Sequence, residues 1–160
     1  PSLAERDAWS RLADTAPLFG VTRIDRLPAP DRQIITPDDP LFAAAACRFD
    51  LGEGFMRARA AGKVPFWSAS VYDREGRNIY SLNARSATAA GLDISVVTPP
   101  QLAELRKSPT EGLASSTIVE EQEAEGMLVV RVLVPDPTWS ATTSDFLDGL
   151  KCEEQVPPDA

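Results

Sequence analysis

Hydrophobic and polar residues alternate with a period of two along much of this chain, the spacing that sends successive side chains to opposite faces of a β-strand. The clearest run is Val64 to Asp73. Trp67, Ala69 and Val71 fall on one face; Phe66, Ser68, Ser70 and Tyr72 fall on the other. Large apolar groups on both faces predict a central strand that is covered twice. Arg74-Glu75-Gly76 fits a three-residue turn with glycine in the left-handed position, and the chain returns through Asn78 to Asn83.

The same pattern recurs on either side. Ala45 to Leu51 alternates, with Cys47 on its apolar face. Gly52-Glu53-Gly54 then predicts a tight hairpin into a strand over Phe55 to Ala60. Asp93 to Thr98 is another strand, closed by Pro99-Pro100, and Gln101 to Lys107 is a short helix. Ser116 to Gln122 and Gly126 to Pro135 predict a last hairpin around Glu123-Ala124-Glu125. Met127 to Val134 is apolar enough to be a second central strand.

The other helical segments lie toward the two ends. Ala8, Trp9, Leu12 and Ala13 form a stripe in a helix over Ala4 to Asp14, with Ser2 and Glu5 as a capping box. Leu41 to Ala46 reads as a helical turn, and Thr143-Ser144-Asp145 opens a final helix over Phe146 to Cys152. Between them, Pro17, Pro28, Pro30, Pro37 and Pro40 break the chain into an irregular wrap.

About seven or eight short strands with frequent turns and helices at the ends predict a mainly β fold, an antiparallel β-sandwich or jelly-roll-like architecture. Residues 1–40 form a helix and wrap, 41–153 a β-rich domain packed with it as one unit, and 154–160 a tail. At 160 residues the chain is long enough for one domain with a real core.

Composition removes several function classes. There is no histidine, which excludes Ser-His-Asp and Cys-His machinery and histidine-based metal sites within this chain. A net charge of −8 repels phosphate backbones, so no nucleic-acid partner is expected. No apolar run reaches the length of a membrane span. The two cysteines, Cys47 and Cys152, form no C-x-x-C pair. They are either two buried thiols or one long-range disulfide.

Few residues offer chemistry. Arg48 and Asp50 project from one strand, with Arg57 and Arg59 on its expected neighbour. They would form a cross-strand ion-pair ladder or line a polar groove for an anionic ligand. Ser68, Ser70 and Tyr72 place hydroxyls on one face beside Asp73. Arg48, Asp50, Ser68, Ser70 and Tyr72 are therefore the ligand-binding candidates. Glu120, Glu121, Glu123 and Glu125 cluster near a hairpin tip; such a set could hold a hard cation such as calcium, though charged tips are common solvent features. No catalytic residue and no cofactor are expected.

An ordered set of motifs resembles a known family. Asp-Pro-Leu-Phe at 39–42 leads into Cys-Arg-Phe-Asp-Leu at 47–51. Phe-Trp-Ser-Ala-Ser-Val-Tyr-Asp at 66–73, Tyr-Ser-Leu-Asn at 80–83, Val-Arg-Val-Leu-Val-Pro at 130–135 and Cys152 follow. Together they resemble the short proteobacterial proteins of the domain-of-unknown-function 1254 family. The Trp-Ser-x-x-x-Tyr-Asp hairpin is similar to one in the related 1214 family.

The resemblance implies a β-rich exported protein at the periplasmic face of the inner membrane, with an anchor preceding a segment like 8–12. An oxidising compartment would favour the Cys47–Cys152 disulfide. The family brings no established activity. The expected role is a non-enzymatic module binding an envelope protein or small ligand. The alternatives are a carboxylate-based hydrolase or carbohydrate-binding sandwich, and a homo-oligomeric structural protein.

Overall fold

The computed structural model describes residues 16–24, 42–86, 91–110 and 112–156. Their strands form two sheets. The first has the order β1–β2–β8–β4–β5, with β1 Val21–Arg23, β2 Phe42–Asp50, β4 Trp67–Asp73, β5 Asn78–Asn83 and β8 Glu125–Leu133, all antiparallel. The second has the order β7–β6–β3–β9, with β3 Phe55–Ala60, β6 Leu92–Val97, β7 Thr117–Glu120 and β9 Lys151–Gln155. The architecture is a β-sandwich, as the alternation predicts.

Alternation explains which residues fill the space between the sheets. Cys47 and Phe49 of β2, Trp67, Ala69 and Val71 of β4, and Leu128, Val130 and Val132 of β8 point inward from the first sheet. Met56, Ala58, Ile94, Val96 and Val119 meet them from the second. β8 and β4 are paired along their length, Trp67 opposite Val132 and Asp73 opposite Gly126, so the two most apolar runs lie side by side. A disulfide between Cys47 in β2 and Cys152 in β9 crosses this core, Cα to Cα 6.6 Å.

The outer face of the first sheet is also partly apolar. Ala44, Ala46, Tyr72, Met127 and Val129 are buried there together with Ala16 and Ile24. Residues 16–24 run along the sheet margin: the Phe19 amide donates to the Arg48 carbonyl at 2.8 Å, and β1 pairs with β2.

Several local expectations are corrected. The Gly52–Gly54 turn does not close a hairpin, because β2 and β3 lie in different sheets. It passes the chain across the sandwich, and Gly54 sits so close to the end of β9 that a Cβ would lie 2.4 Å from the Gln155 carbonyl oxygen. The β7–β8 segment likewise changes sheets rather than folding into a hairpin. Apolar alternation specifies a face toward the core, and two faces on opposite sheets satisfy it as well as two on one sheet.

The stretch expected as a helical turn before Cys47 is strand from Phe42 onward, where Ala43 to Ala46 are buried between neighbours. Among the described residues both α-helices fall between strands rather than at the ends. α1, Pro99–Lys107, connects β6 to β7, and these pair in parallel, which needs such a crossover. Its cap is a reciprocal box: the Gln101 amide donates to Thr98 Oγ1 at 3.4 Å, and the Thr98 amide to Gln101 Oε1 at 2.9 Å.

The final helix, α2, spans Ser140–Asp148, so it starts and ends earlier than the sequence suggests. Cys152 lies beyond it in β9. The expected N-terminal helix over 4–14 and the proline-rich part of the wrap over 25–41 lie outside the described residues, as do the last four residues of the expected tail.

Candidate functional site

Three places were named by the sequence or are exposed by the fold: the outer face of the first sheet, the acidic tip, and a groove beside β7.

Arg48, Ser68, Ser70 and Tyr72 do share the outer face of the first sheet, because β2, β8 and β4 are neighbours in register. They do not gather round one opening. Arg48 Nη1 donates to the Ala16 carbonyl at 2.6 Å, and Tyr72 is buried with Met127 and Val129 between them. Ser70 Oγ and Ser81 Oγ lie 3.1 Å apart across β4 and β5. Asp50 accepts the Gly52 amide at 2.8 Å and shapes the sheet-crossing turn. Arg57 and Arg59 sit on the other sheet: Arg57 pairs with Asp93, and Arg59 with Glu153 at 3.1 Å.

The acidic tip is more concentrated than its sequence run suggests. Pairing of β4 with β8 brings the β4–β5 turn against the β7–β8 connection. The turn itself is built by Asp73. Its Oδ1 accepts the amides of Glu75 at 3.0 Å and Arg77 at 2.9 Å, and Gly76 takes the left-handed φ of 80° that the sequence predicts. Arg77 Nε donates to Asp73 Oδ2 at 2.7 Å, and Arg77 Nη2 lies 3.6 Å from Glu75 Oε2. Single carboxylate oxygens of Asp73, Glu75 and Glu123 all lie within 4.8 Å of one another.

Glu121 stands behind them, only 2% exposed. Its Oε1 accepts the Glu123 amide at 3.3 Å, while its Oε2 is buried with no hydrogen-bond partner among the described residues. Burial, together with the charges of Asp73, Glu123 and Glu75, pushes the Glu121 carboxyl up to about 7 despite the amide bond that favours its charged form. Glu123 is raised in the same direction by desolvation and by Glu75 and Asp73.

Of the four glutamates named from the sequence, Glu121 and Glu123 meet here. Glu120 is exposed on β7, and Glu125 reaches Arg74 at 3.7 Å. Asp73 and Glu75 come from the other turn. The sequence did carry one signal for Glu121: it lies two residues after the buried Val119, so alternation turns it inward.

The third place is a groove of about 740 Å³ whose walls include Leu102, Leu105, Leu113 and Ile118, with Arg106 and Glu120 among its polar lining. No residue of α1 is buried, and Ile118 is exposed on the edge strand of its sheet. Gly112 of the groove wall is tied to the sheet. Arg57 grips Asp93 with two bonds of 3.0 and 2.7 Å and donates to the Gly112 carbonyl at 2.9 Å. The buried hydroxyls of Ser95 and Ser116 lie 2.7 Å apart. Burial pushes the Asp93 carboxyl up, but hydrogen bonds from Arg57 and Ser116 and the charges of Arg57 and Arg59 hold it below the usual carboxylate range.

Comparison with known proteins identifies the fold. The chain is similar to the VPA0106 protein from Vibrio parahaemolyticus, with a TM-score of 0.63 and 11% identity over 96% of this chain and 37% of that one. It is also similar to an uncharacterised protein from Burkholderia cenocepacia, with a TM-score of 0.58 and 11% identity over 96% of this chain and 38% of that one. The likeness is one of fold alone, and the chain spans well under half the length of either protein. No protein-family model matches the sequence, and no curated protein does.

Proposed function

We propose that this chain is a non-catalytic envelope domain that binds an extended apolar segment of a partner protein in the groove between α1 and β7. The observation that carries the reading is the groove itself: a helix with no buried residue and an exposed Ile118 flank apolar walls, one of them tied to the sheet by the bond from Arg57 to the Gly112 carbonyl. An apolar cleft beside an edge strand suits β-strand addition, with side-chain pockets supplying specificity.

The compartment is part of the same proposal. A disulfide between Cys47 and Cys152 is consistent with an oxidising environment. Among the described residues no helix is long and apolar enough to cross a membrane. The resemblance to the domain-of-unknown-function 1254 family supports a place at the periplasmic face of the inner membrane, tethered by an anchor.

One observation favours a second reading, carboxylate acid–base chemistry: the Glu121 carboxyl is raised to about 7 beside three other carboxylates. It ranks lower because Glu121 is 2% exposed and has no direct route to a substrate.

A photo-crosslinking residue at Ala114, exposed in the groove wall, is the direct test in cells. The reading expects a discrete partner adduct from position 114 that Ile118→Glu abolishes, and none from Ile79 on β5 in the other sheet. Equal adducts from both positions, or none from 114, would overturn it.

A further inference from the structure

The acidic tip carries an inference independent of the groove. Three carboxylates within 4.8 Å of one another have the spacing of ligands on one calcium ion, whose oxygens sit at about 2.3–2.6 Å from the metal and so up to about 5 Å apart. Crowded acids at a surface turn are ordinary. A buried carboxylate with an unpartnered oxygen beside them is not, since such a group costs free energy unless a partner compensates. Glu121 is that group: 2% exposed, one oxygen on the Glu123 amide, the other on nothing among the described residues. Glu123 Oε2 is a second buried oxygen without a hydrogen-bond partner among the described residues.

We propose that Asp73, Glu75 and Glu123, backed by the buried Glu121 carboxyl, form a binding site for one divalent hard cation of the calcium class, joining the β4–β5 turn to the β7–β8 connection.

The rest of the geometry supports this. Asp73 Oδ1 is fixed by two backbone amides, so its Oδ2 is presented at a set place, the outer-shell support that metal ligands need. Oδ2 now faces Arg77, the cation that pairs with it among the described residues. The Arg77 side chain is 60% exposed and free to swing into solvent. Four carboxylates against one guanidinium leave an excess of negative charge that a divalent ion neutralises. The ligands are all oxygens, which suits calcium; magnesium would demand a stricter octahedron and keep more of its water. The ion would tie the outgoing end of one sheet's hairpin to the segment that has just left the other sheet.

Calorimetric titration of chelator-stripped protein with calcium chloride tests the site, with thermal unfolding as a second readout. The expected result is one calcium per chain at a dissociation constant of about 0.1–1 mM, the range of extracellular modules, with magnesium at least about tenfold weaker. Glu75→Gln, Glu121→Gln and Glu123→Gln should each weaken calcium by about fivefold or more, and Arg77→Gln should tighten it, because a competing cation is removed. Glu75 is exposed, so its variant keeps the test informative even if a buried substitution unfolds the chain. Absence of heat and of any thermal shift at about 10 mM calcium, or affinity that changes less than about fivefold in the folded variants, would overturn the proposal.

Discussion

Cys47 of β2 and Cys152 of β9 join the two sheets across the core, and Cys152 is paired with Ala58 of the neighbouring strand β3. The bridge closes a segment of 105 residues, so its removal restores a large amount of freedom to the unfolded chain. Reduction, or Cys47→Ala with Cys152→Ala, is predicted to lower unfolding free energy by about 4 kcal/mol, measured by urea titration with and without reductant.

The Arg57–Asp93 pair is the fixed point of the second sheet's outer face. Both side chains are about one-tenth exposed, and Arg57 also holds the Gly112 carbonyl. Arg57→Ala strands a carboxylate and frees that carbonyl, so it is predicted to cost about 3 kcal/mol, more than Asp93→Asn. Asp93 is ionised to lower pH in the folded chain than in the unfolded one. Its contribution is therefore present above the unfolded carboxylate pKa and is lost as pH falls through the folded value. Acid unfolding curves of the wild type and Asp93→Asn check this.

Glu121 has the opposite sign. Its folded pKa of about 7 lies above the ordinary 4.5, in the company of Asp73, Glu75, Glu123 and Arg77. Between these values the folded chain holds a proton that the unfolded chain has released, so stability falls as pH rises from about 4.5 to about 7. The loss is on the order of 3 kcal/mol at most. In chelator, Glu121→Gln should flatten stability over that window and be the more stable form at about pH 8.

Gly126 marks the crowded start of β8. A Cβ there would lie 2.4 Å from the Tyr72 carbonyl oxygen and 2.6 Å from Phe49 Cζ. Gly126→Ala is predicted to destabilise by about 1–3 kcal/mol through overpacking, read as a lower midpoint in thermal unfolding.

Faces were legible in the sequence; partners were not. Trp67, Ala69 and Val71 announced the inner face of β4, and Asp73 to Gly76 announced its turn, because both signals are local. The pairing of β2 with β8 rather than β3 is a choice between two sheets that alternation leaves open. β9, Lys-Cys-Glu-Glu-Gln, buries little besides Cys152 and so looked like the end of a helix and a polar tail. At the acidic tip the glutamate run was visible, but Asp73 and Glu75 join it only through the β4–β8 register, and Glu121 differs from its neighbours by burial alone. The groove was invisible because α1 and Ile118 belong to different elements that meet through a parallel crossover.

Two sheets stapled through their core by the Cys47–Cys152 disulfide define this domain. The most direct measurement is a thiol count on the denatured, unreduced protein isolated from its native cells, followed by peptide mapping. The account predicts no free thiol and a single cross-linked peptide pair carrying Cys47 and Cys152. Two free thiols per chain would contradict it.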